Sequence, residues 1–138
     1  MADVVVAGRR LPLPKAAVVR AVAEVLRGER ADAAISVTFL GRDAMRRMNA
    51  AWKGHDRPTD VIAFALESPG GGLVGDVYVC PWVAEREARA RGVPAREELL
   101  RLVVHGVLHV IGHDHPDGDD RVGSPMWLRQ ERYVERLA

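Results

Sequence analysis

The stretch AREELLRLVVHGVLHVIGHDH, residues 95–115, decides how the rest of the chain has to be arranged. Pro94 stands before it, where proline opens a helix, and Glu97 and Glu98 fall in the first turn, where the helix dipole favours acids. From Leu99 to Ile111 the segment is apolar nearly all round, the pattern of a helix buried on every side. Gly112 is a natural C-terminal stop. A helix of this kind cannot stand at a surface, so the flanking sequence must supply the layers that cover it.

Working outward, the spacing predicts those layers. DVVVA (3–7) reads as a short strand, and β-branched AISVTFL predicts another from about Ala34 to Leu40. DVIAFAL (60–66) and GDVYVC (75–80) are two more, separated by the Pro- and Gly-rich ESPGGGL, which predicts an antiparallel pair. Pro14 and Gly28 bracket a helix with Val18, Val22, Val25 and Leu26 on one face. Met45, Met48 and Trp52 mark a helix over about Asp43 to Trp52. Pro81 opens a further helix closed by Gly92, and Ser124 with Pro125 caps a last one. Four strands and about five helices in mixed order predict an α+β fold: a single domain over residues 1–138, with a small mixed four-stranded sheet.

Composition narrows the function classes. At 138 residues, 48% apolar and 28% charged, the chain is that of a folded protein and not a disordered one. A formal net charge of +1 gives no global field to draw in a polyanion or an anionic membrane. Cys80 is the only cysteine, so neither an intrachain disulfide nor a thiolate zinc site can form, which fits a reducing, cytoplasmic setting. No segment approaches the length of a membrane span, and a signal peptide would need a longer uncharged stretch than the N-terminus offers, where Lys15, Arg20 and Glu24 interrupt the apolar run.

Four of the five histidines fall between residues 105 and 115. His105 and His109, four apart, stack on one helix face and can offer two imidazoles to one metal. Gly112 lets the chain turn so that His115 can return as a third ligand. The result, H-x-x-x-H-x-x-G-x-x-H, is the metzincin zinc pattern except that Gly106 stands where those proteases carry a catalytic glutamate. Three imidazoles and an open position describe a catalytic site for one Zn2+ per chain. His113 falls two residues short of the matched spacing and reads as a neighbour of the site. A peptidase without that glutamate would need a base from elsewhere, whereas phosphodiester cleavage depends mainly on stabilising charge on phosphoryl oxygens.

A second segment, from Arg42 to Arg57, carries five basic side chains against Asp43 and Asp56, a local +3. Lys53, His55 and Arg57 cluster just before a predicted strand, where a basic loop suits a phosphate backbone. Asp114, Asp60 and Asp76 are the candidates for proton transfer.

HGVLHVIGHDH resembles the H-G-x-L-H-x-x-G-x-D-H signature of the bacterial YbeY family of zinc-dependent endoribonucleases. WKGHDRPTDVIAF resembles that family's segment before its hairpin, and GDVYVC its following strand. The resemblance implies an α+β fold, zinc on His105, His109 and His115, and cleavage of single-stranded RNA. It also implies ribosomal RNA and the small ribosomal subunit as partners, in maturation of the small-subunit RNA 3′ end and in ribosome quality control, with no DNA or membrane involved. Lys53 and Arg57 would hold RNA, with Lys53 and Asp114 as catalytic candidates. Lys53 stands where the family usually has arginine, and His113 where it often has tyrosine. The competing readings are a zinc metallopeptidase, which Gly106 disfavours, and a ribosome-binding factor with a structural zinc.

Overall fold

The computed structural model describes residues 4–115 and 118–138. Its elements run β1 (Val4–Ala7), α1 (Lys15–Gly28), β2 (Ala33–Phe39), α2 (Arg42–Lys53), β3 (Val61–Glu67), β4 (Leu73–Val79), α3 (Pro81–Arg91), α4 (Ala95–Val110), a 3-10 turn (Gly118–Arg121) and α5 (Pro125–Leu137). The strands form one mixed sheet in the order β1-β2-β4-β3. β1, β2 and β4 are parallel, and β3 runs antiparallel to β4 through the Gly-rich hairpin. This is the α+β architecture that the alternation of patterns predicts.

Period-two alternation sorts the sheet's two faces. Ala33, Ile35, Val37 and Phe39 of β2 are buried, and the register sets Ile35 beside Gly75 and Val37 beside Val77 on the same side. That face packs against α1 and α4 in the main core. On the opposite face Ile62 joins Met45 and Cys80 in a smaller cluster, with Leu40, Met48, Phe64, Tyr78 and Val83 against it. Each face therefore has its own helical cover, α2 and α3 on the second.

Between residues 99 and 110 every residue of α4 is buried except His105 and His109. The expectation of a helix enclosed by other layers holds, and the two gaps in its cover are the two histidines. Two glycines bring α4 unusually near β4. A Cβ on Gly106 would run into the side chain of Val77, and one on Gly75 into Val110. The helix could not sit at this depth with any larger residue at 106.

The boundaries differ from expectation in small ways with physical reasons. Pro14 and Pro94 are extended N-cap residues, with ψ of 138° and 143°, and their carbonyls accept the first helical N–H groups. α4 ends at Val110, and Gly112 takes φ +107°, a conformation that side chains resist, as the chain turns away. Ser124 caps α5 by accepting the Trp127 N–H at 3.3 Å, with Pro125 in the first turn.

Candidate metal centre and its cleft

α4 supplies His105 and His109 one turn apart, and the turn at Gly112 brings His115 back over them. The ring centroids lie 4.6 Å apart for His105 and His109, 5.1 Å for His105 and His115, and 5.0 Å for His109 and His115. One ring nitrogen from each falls within 4.8 Å of the other two, the one such group of possible ligands among the described residues. A tetrahedral zinc with bonds of about 2.0–2.1 Å needs its nitrogens about 3.4 Å apart, inside the 4.8 Å within which these three lie. The three residues can hold a metal ion.

The surroundings of His105 and His109 favour the neutral, metal-binding form. Burial, and then the nearby His109 and His115, push the His105 pKa down to about 4 against the pull of its bond to Gln130. His109 is likewise lowered, by burial first and then by His115. Both rings are neutral near pH 7, the form with a lone pair to donate.

The lone pair of His105 has a defined place. Gln130 on α5 meets His105 Nδ1 through its Oε1 at 2.6 Å, while its Nε2 donates to Glu131 Oε2 at 3.0 Å. Glu131 in turn accepts two bonds from Arg101, at 2.8 Å from Nε and 2.8 Å from Nη2. A carboxylate held by a guanidinium can only accept, so the Gln130 amide is oriented with its oxygen towards the imidazole. Nδ1 must then carry the proton, and Nε2 is left as the donor nitrogen. Arg101 is itself buried among acids. Its Nη2 also donates to Glu97 at 3.1 Å, and its Nη1 stands 3.6 Å from Glu98. Sequence reading missed Arg101, Gln130 and Glu131 altogether.

A cleft of about 440 Å³ opens over this centre. Its walls include His105, His109 and His115, the edge strand β3 from Val61 to Ala65, Lys53, Asp60, Arg121 and Trp127. Lys53 is thus brought to the centre, and its charge helps to lower the His109 pKa. Arg57 is exposed and does not line the cleft; its carbonyl accepts Asn49 Nδ2 at 2.8 Å.

The three aspartates separate. Asp114 is exposed outside the cleft wall, with Oδ1 accepting the His115 N–H at 2.9 Å. Asp76 lies on the other sheet face and accepts the Ser36 hydroxyl at 2.6 Å. Asp60 lines the cleft, where burial raises its pKa despite the Val61 N–H bond at 2.7 Å and the nearby Arg121. His113 turns away from the three rings, and its Nε2 pairs with Glu29 Oε1 at 2.8 Å.

Known proteins are similar to this chain in sequence and fold. The profile of the Endoribonuclease YbeY family matches residues 12–138. The Endoribonuclease YbeY of Thermotoga petrophila is 34% identical over 114 residues, covering 83% of this chain and 74% of its own. That of Alkalilimnicola ehrlichii is 39% identical over 123 residues, covering 84% and 74%. A Thermotoga maritima protein solved in solution superposes with a TM-score of 0.66 at 29% identity, covering 97% of this chain and 88% of that one. With this match over nearly its whole length, the chain belongs to the Endoribonuclease YbeY family.

Proposed function

We propose that this protein is a zinc-dependent endoribonuclease specific for single strands. It acts in maturation of the 3′ end of small-subunit ribosomal RNA and in ribosome quality control, in the cytoplasm. The observation that carries the reading is three converging imidazoles in a cleft whose wall also bears Lys53. His105, His109 and His115 would hold the zinc, which when bound would supply Lewis acidity towards a phosphoryl oxygen and acidify a nearby water. Lys53 meets backbone phosphate as a point charge at the cleft rim, with Arg57 further out along the strand. Asp60, rather than Asp114, moves the proton, because it alone of the three aspartates lines the cleft, where burial favours its protonated form.

The peptidase alternative meets a steric obstacle as well as a chemical one. Position 106 faces Val77 at packing distance and leaves no room for a glutamate. Cleavage of a short single-stranded RNA, of the same RNA in a duplex, and of casein, each with and without chelator, tests the proposal. Chelator-sensitive cutting of the single strand alone is expected. Casein hydrolysis abolished by His109→Ala would overturn it, and binding to small ribosomal subunits without any cleavage would favour a structural role.

A further inference from the structure

Trp52 is the penultimate residue of α2 and is 68% exposed, although the chain around it is mostly polar. Its ring meets Phe64 of β3 at 5.5 Å with planes 66° apart, and Phe64 meets Tyr78 at 6.1 Å and 73°. An edge-to-face contact occupies at most one face of the indole, so at least one face stays open. Phe64 lies in the cleft wall, and the Lys53 ammonium, also in that wall, stands 5.9 Å from its ring. The aromatic row lies on the sheet face of Met45 and Ile62, opposite the histidines, and Lys53, which reaches both the Phe64 ring and the cleft, joins it to the cleft at the β3 edge.

The charges of the Arg42–Arg57 segment that are left without a partner are of one kind. Arg42 pairs with Asp43 and Arg46 with Asp56. Among the described residues Arg47, Lys53 and Arg57 make no ion pair. A free aromatic face next to the unpaired Lys53, in a segment with net positive charge, is the combination that binds single-stranded nucleic acid: cations follow the phosphates, and bases stack on the ring. An apolar protein partner would leave those cations without anions, and the surface fits it less well.

We propose that Trp52 is a stacking platform for an unpaired nucleobase flanking the phosphate that reaches the histidines, with Phe64 as the ring that braces it. This rests on the endoribonuclease reading and says how a single strand is recognised. A duplex keeps its bases stacked on each other and cannot use the indole.

The test uses the full-length protein and a short single-stranded 2′-O-methyl RNA, read by fluorescence anisotropy across a salt series. Trp52→Ala should weaken binding about tenfold, since stacking on one base contributes at that level. Its log–log salt slope should match that of the parent, because no phosphate contact is lost. Trp52→Tyr should bind nearly like the parent. Scanning an abasic residue along the strand should find one position where the parent loses the same factor and Trp52→Ala loses nothing further. Parent-like affinity of Trp52→Ala, with a parent that binds and cuts RNA, overturns the platform and leaves the nuclease reading standing. Losses that simply add at every abasic position overturn it as well. A parent that neither binds nor cuts RNA removes both.

Discussion

Replacing Gln130 by leucine tests the least visible part of the metal centre. The substitution keeps side-chain volume and apolar packing on α5, where Gln130 is 2% exposed, but removes the acceptor 2.6 Å from His105 Nδ1. The ring then has no partner to hold its proton on Nδ1, and the tautomer with Nε2 protonated becomes accessible. That tautomer presents the wrong nitrogen to a metal. Loss of such a supporting bond lowers metal affinity by about tenfold to a hundredfold, or about 1.4–2.8 kcal/mol. Competition against a chromophoric chelator would read the affinity, and nitrogen-15 NMR of the metal-free protein would read the tautomer directly. Glu131→Gln should produce a milder version, because an amide at 131 no longer dictates which way the Gln130 amide faces. If Gln130→Leu binds zinc as tightly as the parent, with Nδ1 still protonated, α5 does not set the donor nitrogen and the argument from the hydrogen bonds is wrong.

The other expectations are simpler. His105→Ala, His109→Ala and His115→Ala should each lose most of their zinc by metal analysis, while His113→Ala, whose ring faces Glu29, should keep it. Lys53→Ala should cut RNA more slowly at an unchanged melting temperature, and its RNA-binding salt slope should be shallower by about 0.7; an identical salt series would make this lysine mere surface. Asp60→Asn, which can still accept the Val61 N–H, should depress cleavage and remove one limb of the pH–rate profile, and an intact profile would exclude it as the proton carrier. Gly106→Ala gains helix propensity of about 1 kcal/mol but meets Val77, where overpacking costs about 1–3 kcal/mol. It should therefore melt below the parent, and a higher melting point would show that α4 can retreat from β4.

Much of this molecule is written in local patterns. The buried character of α4, the stop at Gly112 and the hairpin between β3 and β4 follow from periodicity and turn chemistry over a few residues each. The convergence of the three histidines is legible for the same reason, since two of them share a helix face and the third follows a glycine. Illegible parts depend on polar pairs distant along the chain. Gln130 lies 25 residues from His105, and Glu29 is joined to Arg129 and Tyr133 across 100 and 104 residues. No period marks such partners. Arg101 is the nearest to a visible signal, a lone charge inside the apolar run and four residues before His105, yet charges in helices usually face water. Proximity in sequence also misdirects. Asp114 adjoins His115 and draws attention as a catalytic group, whereas the fold turns it outward and sets Asp60, from another element, in the cleft.

The bond between His113 and Glu29 bears on when the third ligand becomes ordered. Glu29, at the end of α1, is held by Tyr133 and Arg129 of α5, so it is a fixed point, and His113 moors the chain just beyond α4 to it. Fixing the backbone of residues 113–115 costs about 3–6 kcal/mol. Moored in this way, the segment meets that cost as the protein folds, and an arriving ion does not have to bear it. A site moored in this way would act as a preformed chelator, taking up a metal by small side-chain movements with no slow loop closure. Freeing the mooring would convert rigid capture into coupled ordering, with a slower association rate as its mark.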